Sequence, residues 1–137
     1  MKRTAPQYLF VYGTLRRKAR NKVSALLKKN ATFIGLGTAK GRLYDLGEYP
    51  AAVPDQRKRI VGELYSLEAG KNAEILAVLD EYEEYNASNP EQSLYIRKKT
   101  QVKLDGQEGL NAWIYWYNKP LDAQRLIPTG DYALAKA

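Results

Sequence analysis

Two short apolar segments constrain the fold of this chain more than any other feature of its sequence. Residues 8–12 (YLFVY) and 112–117 (AWIYWY) are uninterrupted runs of β-forming residues, and Gly13 stops the first of them. Because neither run alternates apolar and polar residues, we expect each to form a strand that is buried on both faces. Such strands, with further strands and two helices between them, predict an α+β domain with a strongly curved sheet or a partly closed barrel.

Local patterns predict the elements between the two apolar runs. Asn21 is expected to cap a short helix that ends at Asn30, and residues 72–84 carry apolar side chains at helical spacing. Strands are predicted at residues 60–67 and 95–104, whereas Pro50 and Pro54 predict an irregular loop over residues 49–55. No repeat or linker-like change of composition divides the 137 residues, so we expect residues 1–137 to form a single domain.

The sequence contains no histidine and no cysteine. These two absences exclude Ser-His-Asp and Cys-His triads, a thiol nucleophile, disulfides and a zinc site of the usual nitrogen and sulfur ligands. We therefore expect no metal site. Proton transfer near neutral pH would have to use a carboxylate, a tyrosine or a lysine with a shifted pKa.

Basic residues outnumber acidic residues by 22 to 15, which gives a net charge of +7. This excess keeps nucleic acid among the candidate partners, through the basic runs at residues 16–18, 57–59 and 97–99. No ribonucleoprotein signature, zinc knuckle or helix-turn-helix spacing accompanies these runs. Since exposed lysines and arginines most often form a solvated surface, nucleic-acid binding is the least favoured of the candidate functions.

The sequence gives no sign of a membrane protein. No apolar run approaches the ~18 residues that a membrane span needs. The N-terminal segment is typical of a first strand rather than a signal peptide, because Gly13 interrupts it and no small-residue cleavage pattern follows. Together with the absence of cysteine, these features favour a cytoplasmic protein. We expect a monomer or a weak homodimer, although no sequence feature determines the oligomeric state.

One carboxylate of the second predicted helix lies on the apolar side of that helix. With about 100° between successive residues, Glu83 falls roughly 40° from Leu79, the centre of a stripe that also carries Ile75, Leu76 and Tyr82. Burial disfavours an ionised carboxylate, so its pKa should rise toward neutrality, as a general base requires. The alternative is a solvated or lysine-paired glutamate at a frayed helix end, and the helical geometry alone names no reaction.

Residues 12–15 (YGTL) form the junction at which the first apolar strand ends. Glycine permits close approach and unusual φ angles, so backbone N–H groups at such a junction can point at an anion or a carbonyl oxygen. A plain strand-to-loop turn is the alternative. A P-loop is excluded here, because neither the glycine spacing nor the Gly-Lys-Ser/Thr ending is present.

Six short blocks follow one another over nearly the whole chain. They are residues 11–16 (VYGTLR), 41–51 (GRLYDLGEYPA), 61–65 (VGELY), 79–83 (LDEYE), 95–97 (YIR) and 130–132 (GDY). In this order they resemble the conserved blocks of the γ-glutamylcyclotransferase-like (AIG2-like) family. Each block is weak by itself, but five or six of them in register are fairly specific.

The resemblance implies an α+β fold around a small mixed β-barrel with a few helices and a cavity at one end. It also implies a γ-glutamyl cyclotransferase, in which the α-amino group of a small γ-glutamyl substrate attacks the γ-carbonyl of its own amide. The products are 5-oxoproline and an amine, and no metal or organic cofactor is needed. Since the substrate supplies the nucleophile, the missing cysteine and histidine are not an obstacle to this reaction.

The same resemblance assigns candidate site residues, each at its matching position. Glu83 would be the general acid/base. The candidate substrate-binding residues are Tyr12, Gly13, Thr14 and Leu15, with Tyr49 and Tyr95 as walls of the cavity.

Two features depart from the family pattern. Glu84 follows the assigned catalytic glutamate, where members commonly have glycine, and residues 85–94 are longer and more polar than in many members. A small-molecule-binding domain of the same fold, without catalytic activity, is therefore the alternative to an enzyme.

Overall fold

Strands and helices account for most of residues 7–13, 22–47, 49–68, 70–105 and 107–135, which the computed structural model describes. The strands are β1 (Gln7–Val11), β2 (Ala31–Asp45), β3 (Pro50–Leu67), β4 (Tyr95–Leu104) and β5 (Gln107–Tyr117). The helices are α1 (Lys22–Asn30), α2 (Asn72–Tyr82) and α3 (Tyr132–Ala135), with 3-10 turns at Pro90–Gln92 and Ala123–Arg125. The strand predicted at residues 95–104 is confirmed, whereas Asn21, the expected cap of α1, lies outside the described residues.

The strands close into a barrel in the order β1-β3-β2-β4-β5. Neighbouring strands are antiparallel, except that β5 meets β1 in a parallel pairing of Trp113 with Leu9. This mixed barrel with its helices confirms the predicted α+β fold.

Both apolar runs contact two separate packed regions, which explains why neither run alternates apolar and polar residues. Phe10 of β1 and Ile114 of β5 belong to a cluster to which every strand of the barrel contributes, so this cluster fills the barrel interior. Their neighbours Leu9 and Tyr115 belong to a second cluster, which includes Leu79 of α2 and lies on the outer side of the barrel wall. The two strands are therefore buried on both faces, as predicted.

The prediction of an irregular loop over residues 49–55 is wrong from Pro50 onward. Pro50 begins β3, and Pro54 lies within β3 opposite Gly41 of β2. The register between β2 and β3 shifts immediately beside that pair, between Lys40 and Gly41. A proline is tolerated at the first residue of a strand and at a bulge, because the ladder does not need its missing N–H there.

Helix α2 packs on the outside of the barrel through Ile75, Leu76 and Leu79. This packing places the C-terminal end of α2 beside the end of β1 and the start of β4, where a cavity opens. Within the described ranges, no helix is long and apolar enough to cross a bilayer.

Candidate active site

A cavity of about 230 Å³ lies where β1 ends. Its wall combines the end of β1, the start of β3, the end of α2, the start of β4 and one residue of β5. Five of the residues proposed from the sequence line this cavity together, although they come from four separate parts of the chain: Tyr12, Gly13, Tyr49, Glu83 and Tyr95.

A closed turn, rather than a frayed end, holds Glu83 at the cavity. The N–H of Glu83 donates to the carbonyl oxygen of Leu79 at 2.9 Å, and the next two N–H groups donate to the carbonyl oxygens of Glu81 (3.1 Å) and Asp80 (2.8 Å). These bonds form a Schellman motif, whose residue after the cap has a positive φ and is usually glycine. Here that residue is Glu84, with a φ of 54°.

Burial raises the pKa of Glu83 from its ordinary value of 4.5 to about 8. The side chain is partly buried, and the cavity lining contains no lysine or arginine among the described residues to offset the desolvation. A carboxyl group that titrates near neutral pH can accept a proton in one step and return it in the next.

Three tyrosines lie close enough to Glu83 for its charge to contribute to their raised pKa values, although burial is the larger cause: Tyr12, Tyr95 and Tyr115. The hydroxyl of Tyr95 donates to the carbonyl oxygen of Pro50 at 2.6 Å. The hydroxyl of Tyr12 donates in the same way to the carbonyl oxygen of Tyr115. Because their single protons are already committed to the backbone, these two phenols can offer a ligand only oxygen lone pairs.

The mouth of the cavity is formed by two tyrosines that solvent reaches. Tyr49 is 37% exposed and its ring packs edge-on against Tyr95, with 6.4 Å between the ring centroids. Tyr82 is 39% exposed, so its predicted position in the core-facing stripe of α2 is wrong. It is the last residue of the helix and borders the cavity instead of the packed barrel wall.

Gly13 lies against Pro50, and this contact shapes the floor between β1 and β3. A Cβ atom added at position 13 would lie 2.3 Å from Cγ of Pro50 and 2.8 Å from its Cδ, distances at which a ring held by the backbone could not remain. Glycine is thus required for this close approach. Thr14 and Leu15, the other two residues of the predicted binding loop, lie outside the described residues.

Comparison with known proteins decides the family. A family model described as gamma-glutamyl cyclotransferase, AIG2-like, matches residues 9–134. The chain belongs to this family. The gamma-glutamylcyclotransferase family protein YtfP of Escherichia coli K12 is 32% identical to it over 125 residues, which are 90% of this chain and 94% of YtfP.

Solved structures confirm the AIG2-like fold. The solution structure of ytfP from Escherichia coli has a TM-score of 0.62 and 31% identity, covering 96% of this chain and 100% of that one. The crystal structure of an AIG2-like protein from Mus musculus has a TM-score of 0.70 and 23% identity, covering 94% of this chain and 89% of that one.

Sequence reasoning missed a partly buried network beside this AIG2-like cavity. Asp80 of α2 accepts a hydrogen bond from Arg97 of β4, with 3.2 Å from Nη2 to Oδ2, and forms an ion pair with the same guanidinium, with 2.8 Å from Nε to Oδ1. The hydroxyl of Tyr115 donates to the same carboxylate at 2.7 Å, and the Arg97 guanidinium lies 4.4 Å from the ring centroid of Trp113. The network joins α2, β4 and β5 less than one helical turn before Glu83, so it fixes the helix end that carries this residue. Its only signal in the sequence was that Asp80 and Arg97 fall in two of the matching blocks.

Among the side chains that the structure describes, no three His, Cys, Asp or Glu residues are grouped so as to hold a metal ion.

Proposed function

We propose that this protein catalyses the cyclisation of a γ-glutamyl amide in the cytoplasm. The α-amino nitrogen of the substrate forms a bond to its own γ-carbonyl carbon, the γ-amide C–N bond breaks, and 5-oxoproline and an amine are released. Glu83 acts as the general acid/base. Family membership supports the reaction class, and the substrate within that class is left to experiment.

The observation that carries the proposal is a single carboxyl group whose pKa is raised to about 8, in a cavity of about 230 Å³. A general acid/base works best when its pKa lies near the operating pH, and the chain has no histidine to take this part. The size of the cavity is suited to a small molecule rather than to a large protein segment.

The polar lining of the cavity favours a ligand that donates hydrogen bonds. Glu83 accepts bonds when ionised, and Tyr95 presents only its oxygen lone pairs because its proton is committed to Pro50. The α-ammonium group of a γ-glutamyl substrate is such a donor. We infer that Tyr95 and Glu83 receive this group and orient its nitrogen toward the γ-carbonyl carbon.

The proposed proton transfers balance over the reaction. Ionised Glu83 takes a proton from the α-ammonium group, and the free amine attacks the γ-carbonyl to give a tetrahedral intermediate. We infer that backbone N–H groups of Tyr12 and Gly13, two residues that line the cavity, stabilise its oxyanion. The α-nitrogen loses two protons in all: Glu83 delivers the first to the leaving nitrogen, which departs as a neutral amine when the C–N bond breaks, and the second to the released amine, which becomes an ammonium ion.

Release of 5-oxoproline from a panel of γ-glutamyl amino acids and γ-glutamyl amines, measured by mass spectrometry, tests the proposal. The Glu83→Gln variant should lose turnover by ~100-fold or more, because general acid–base catalysis typically contributes at least that factor. Glu81→Gln is the matched control, since Glu81 is an exposed acid of the same helix and should keep wild-type turnover.

Two results would contradict the proposal. Robust turnover by the Glu83→Gln variant would remove Glu83 from the reaction. Stabilisation of the wild type by γ-glutamyl compounds without any 5-oxoproline release would identify a small-molecule-binding domain instead of an enzyme.

A further inference from the structure

We propose that the protein has a second ligand site, a basic groove that binds a small molecule carrying two or more phosphate groups. The groove has a volume of about 520 Å³ and lies between β2, β3 and β4. Four of its lining residues are cationic: Lys40, Arg59, Lys99 and Lys103. No residue that lines the groove also lines the cavity of Glu83, so the two sites are separate.

Two of these cations are direct cross-strand partners. Lys40 of β2 pairs with Arg59 of β3 in the antiparallel ladder, and both side chains are exposed. Like charges directly opposite each other destabilise a sheet, so this pair costs stability in the protein without a ligand. An anion held between the two side chains would convert this repulsion into attraction.

The register shift beside this pair adds two exposed cations between the lining residues Gln56 and Arg59, although these two cations do not line the groove themselves. Arg59 pairs with Lys40 whereas Pro54 pairs with Gly41, so residues 55–58 form a bulge that exposes Arg57 and Lys58. The carboxylate of Asp55, in the bulge, already has two partners. It forms an ion pair with Arg42 at 3.0 Å and accepts a hydrogen bond from the backbone N–H of Arg57 at 2.8 Å. This acid therefore does little to neutralise the groove.

The remaining lining of the groove suits phosphate oxygens. The hydroxyl groups of Thr38 and Thr100 and the amides of Gln56 and Gln101 lie beside the cations, and no Asp or Glu occurs in the part of the lining that the structure describes. Hydrogen bonds from charged and neutral donors together are the usual means of holding phosphate. The positive charges of Lys40, Arg59 and Lys103 match a ligand with several negative charges better than a ligand with a single carboxylate.

A small ligand fits the groove better than single-stranded nucleic acid. Proteins that bind single strands combine a basic groove with aromatic rings on which the bases stack. The one aromatic residue in the described lining, Trp116, is only 7% exposed and is therefore not available for stacking. The ring of Trp113 is engaged elsewhere, since the ammonium of Lys99 lies 4.9 Å from its centroid. The volume of the groove falls within the range of small-molecule sites.

Titration calorimetry with inorganic tripolyphosphate at low ionic strength tests the proposal. We expect saturable binding to the wild type and a loss of affinity of roughly tenfold or more in the Lys40→Glu/Arg59→Glu double variant. The matched control is Lys29→Glu/Lys119→Glu, which also lowers the net charge from +7 to +3 but changes residues outside the groove. This control should bind tripolyphosphate nearly as tightly as the wild type.

A single variant separates loss of binding from loss of folding. Lys40→Glu places opposite charges across the ladder, so its melting temperature should rise while the further rise caused by tripolyphosphate is lost. Release of 5-oxoproline by these groove variants should equal that of the wild type, because the groove and the cavity share no residue. If the protein did not catalyse the proposed cyclisation, tripolyphosphate binding would still be expected. If the groove did not bind tripolyphosphate, the proposed cyclisation would still be expected.

Three results would overturn the proposal. The first is no saturable binding of tripolyphosphate, and the second is an equal loss of affinity in the control variant, which would indicate net charge alone. The third is tight binding of a 20-nucleotide single-stranded oligomer with none of tripolyphosphate.

Discussion

The cavity of Glu83 and the basic groove are formed by neighbouring strands of one barrel, but the ionisable groups of the cavity are desolvated whereas those of the groove are solvated. In the cavity, burial raises the pKa values of Glu83 and of the surrounding phenols, so the neutral forms are favoured. In the groove, cations such as Lys40 and Arg59 remain exposed beside each other. The cavity therefore depends on desolvation, which makes it sensitive to pH, whereas the groove depends on the number of charges, which makes it sensitive to salt.

The largest expected effect is the pH dependence of stability in the Glu83→Gln variant. The pKa of Glu83 is about 8 in the folded protein and 4.5 as its ordinary value, so the folded state binds more protons between these two values. Wild-type stability therefore falls as the pH rises through this window, and the glutamine variant lacks that fall. Denaturant unfolding at pH 5 and pH 9 should show the variant gaining a few kcal/mol over the wild type, since one pKa unit corresponds to about 1.4 kcal/mol.

The groove variant Lys40→Glu/Arg59→Glu is the control for this experiment. It should show the same pH dependence as the wild type, because it leaves the surroundings of Glu83 unchanged. An energy difference between Glu83→Gln and wild type that stays constant from pH 5 to pH 9 would show that Glu83 is not held in a desolvated site.

A smaller effect is expected for Tyr95→Phe, which removes the phenol oxygen and keeps the ring. If this oxygen accepts a bond from the substrate ammonium in both the ground state and the transition state, KM should rise ~10-fold with little change in kcat. Steady-state kinetics at low and high salt should give the same ratio, since a buried contact is poorly screened. Tyr117→Phe is the control, because the ring of Tyr117 packs 5.3 Å from that of Tyr95 but does not line the cavity. An unchanged KM in Tyr95→Phe would remove the proposed ammonium contact.

The smallest effect concerns the residue that closes α2. Glu84 holds a φ of 54°, a conformation that costs a non-glycine residue of order 1 kcal/mol. Glu84→Gly should therefore be about 1 kcal/mol more stable than Glu84→Ala, which removes the same charge but retains the strain. Thermal unfolding of the two variants side by side measures this difference, and equal melting temperatures would argue against a strained helix end.

Local sequence patterns correctly predicted those elements whose conformation depends mainly on the residues within them. The alternation of β4 gave its limits at Tyr95 and Leu104, and the helical stripe of α2 gave its start at Asn72. The loop predicted after Tyr49 was wrong because pairing partners, not local propensity, decide where prolines are tolerated: the position of Pro54 opposite Gly41 is a property of the register.

The candidate site was predictable only in part. The helical spacing of about 100° per residue placed Glu83 toward the protein interior. It also placed Tyr82 there, because helical spacing alone does not show where the barrel wall ends and a cavity begins. The Asp80 network depends on Arg97 and Tyr115, which are 17 and 35 residues away along the chain. The repulsive pair of Lys40 and Arg59 likewise arises from strand register, which no local pattern reveals.

The central claim is that a desolvated Glu83 moves the protons of a γ-glutamyl cyclisation. The most direct test is the pH profile of kcat/KM for 5-oxoproline release, since it reports the ionisation of essential groups in the free enzyme. The account predicts that kcat/KM of the wild type rises tenfold per pH unit below an apparent pKa of about 8 and then levels off, and that this limb is absent from the residual activity of Glu83→Gln. A wild-type profile that is flat from pH 6 to pH 9, or the same limb in the glutamine variant, would contradict it.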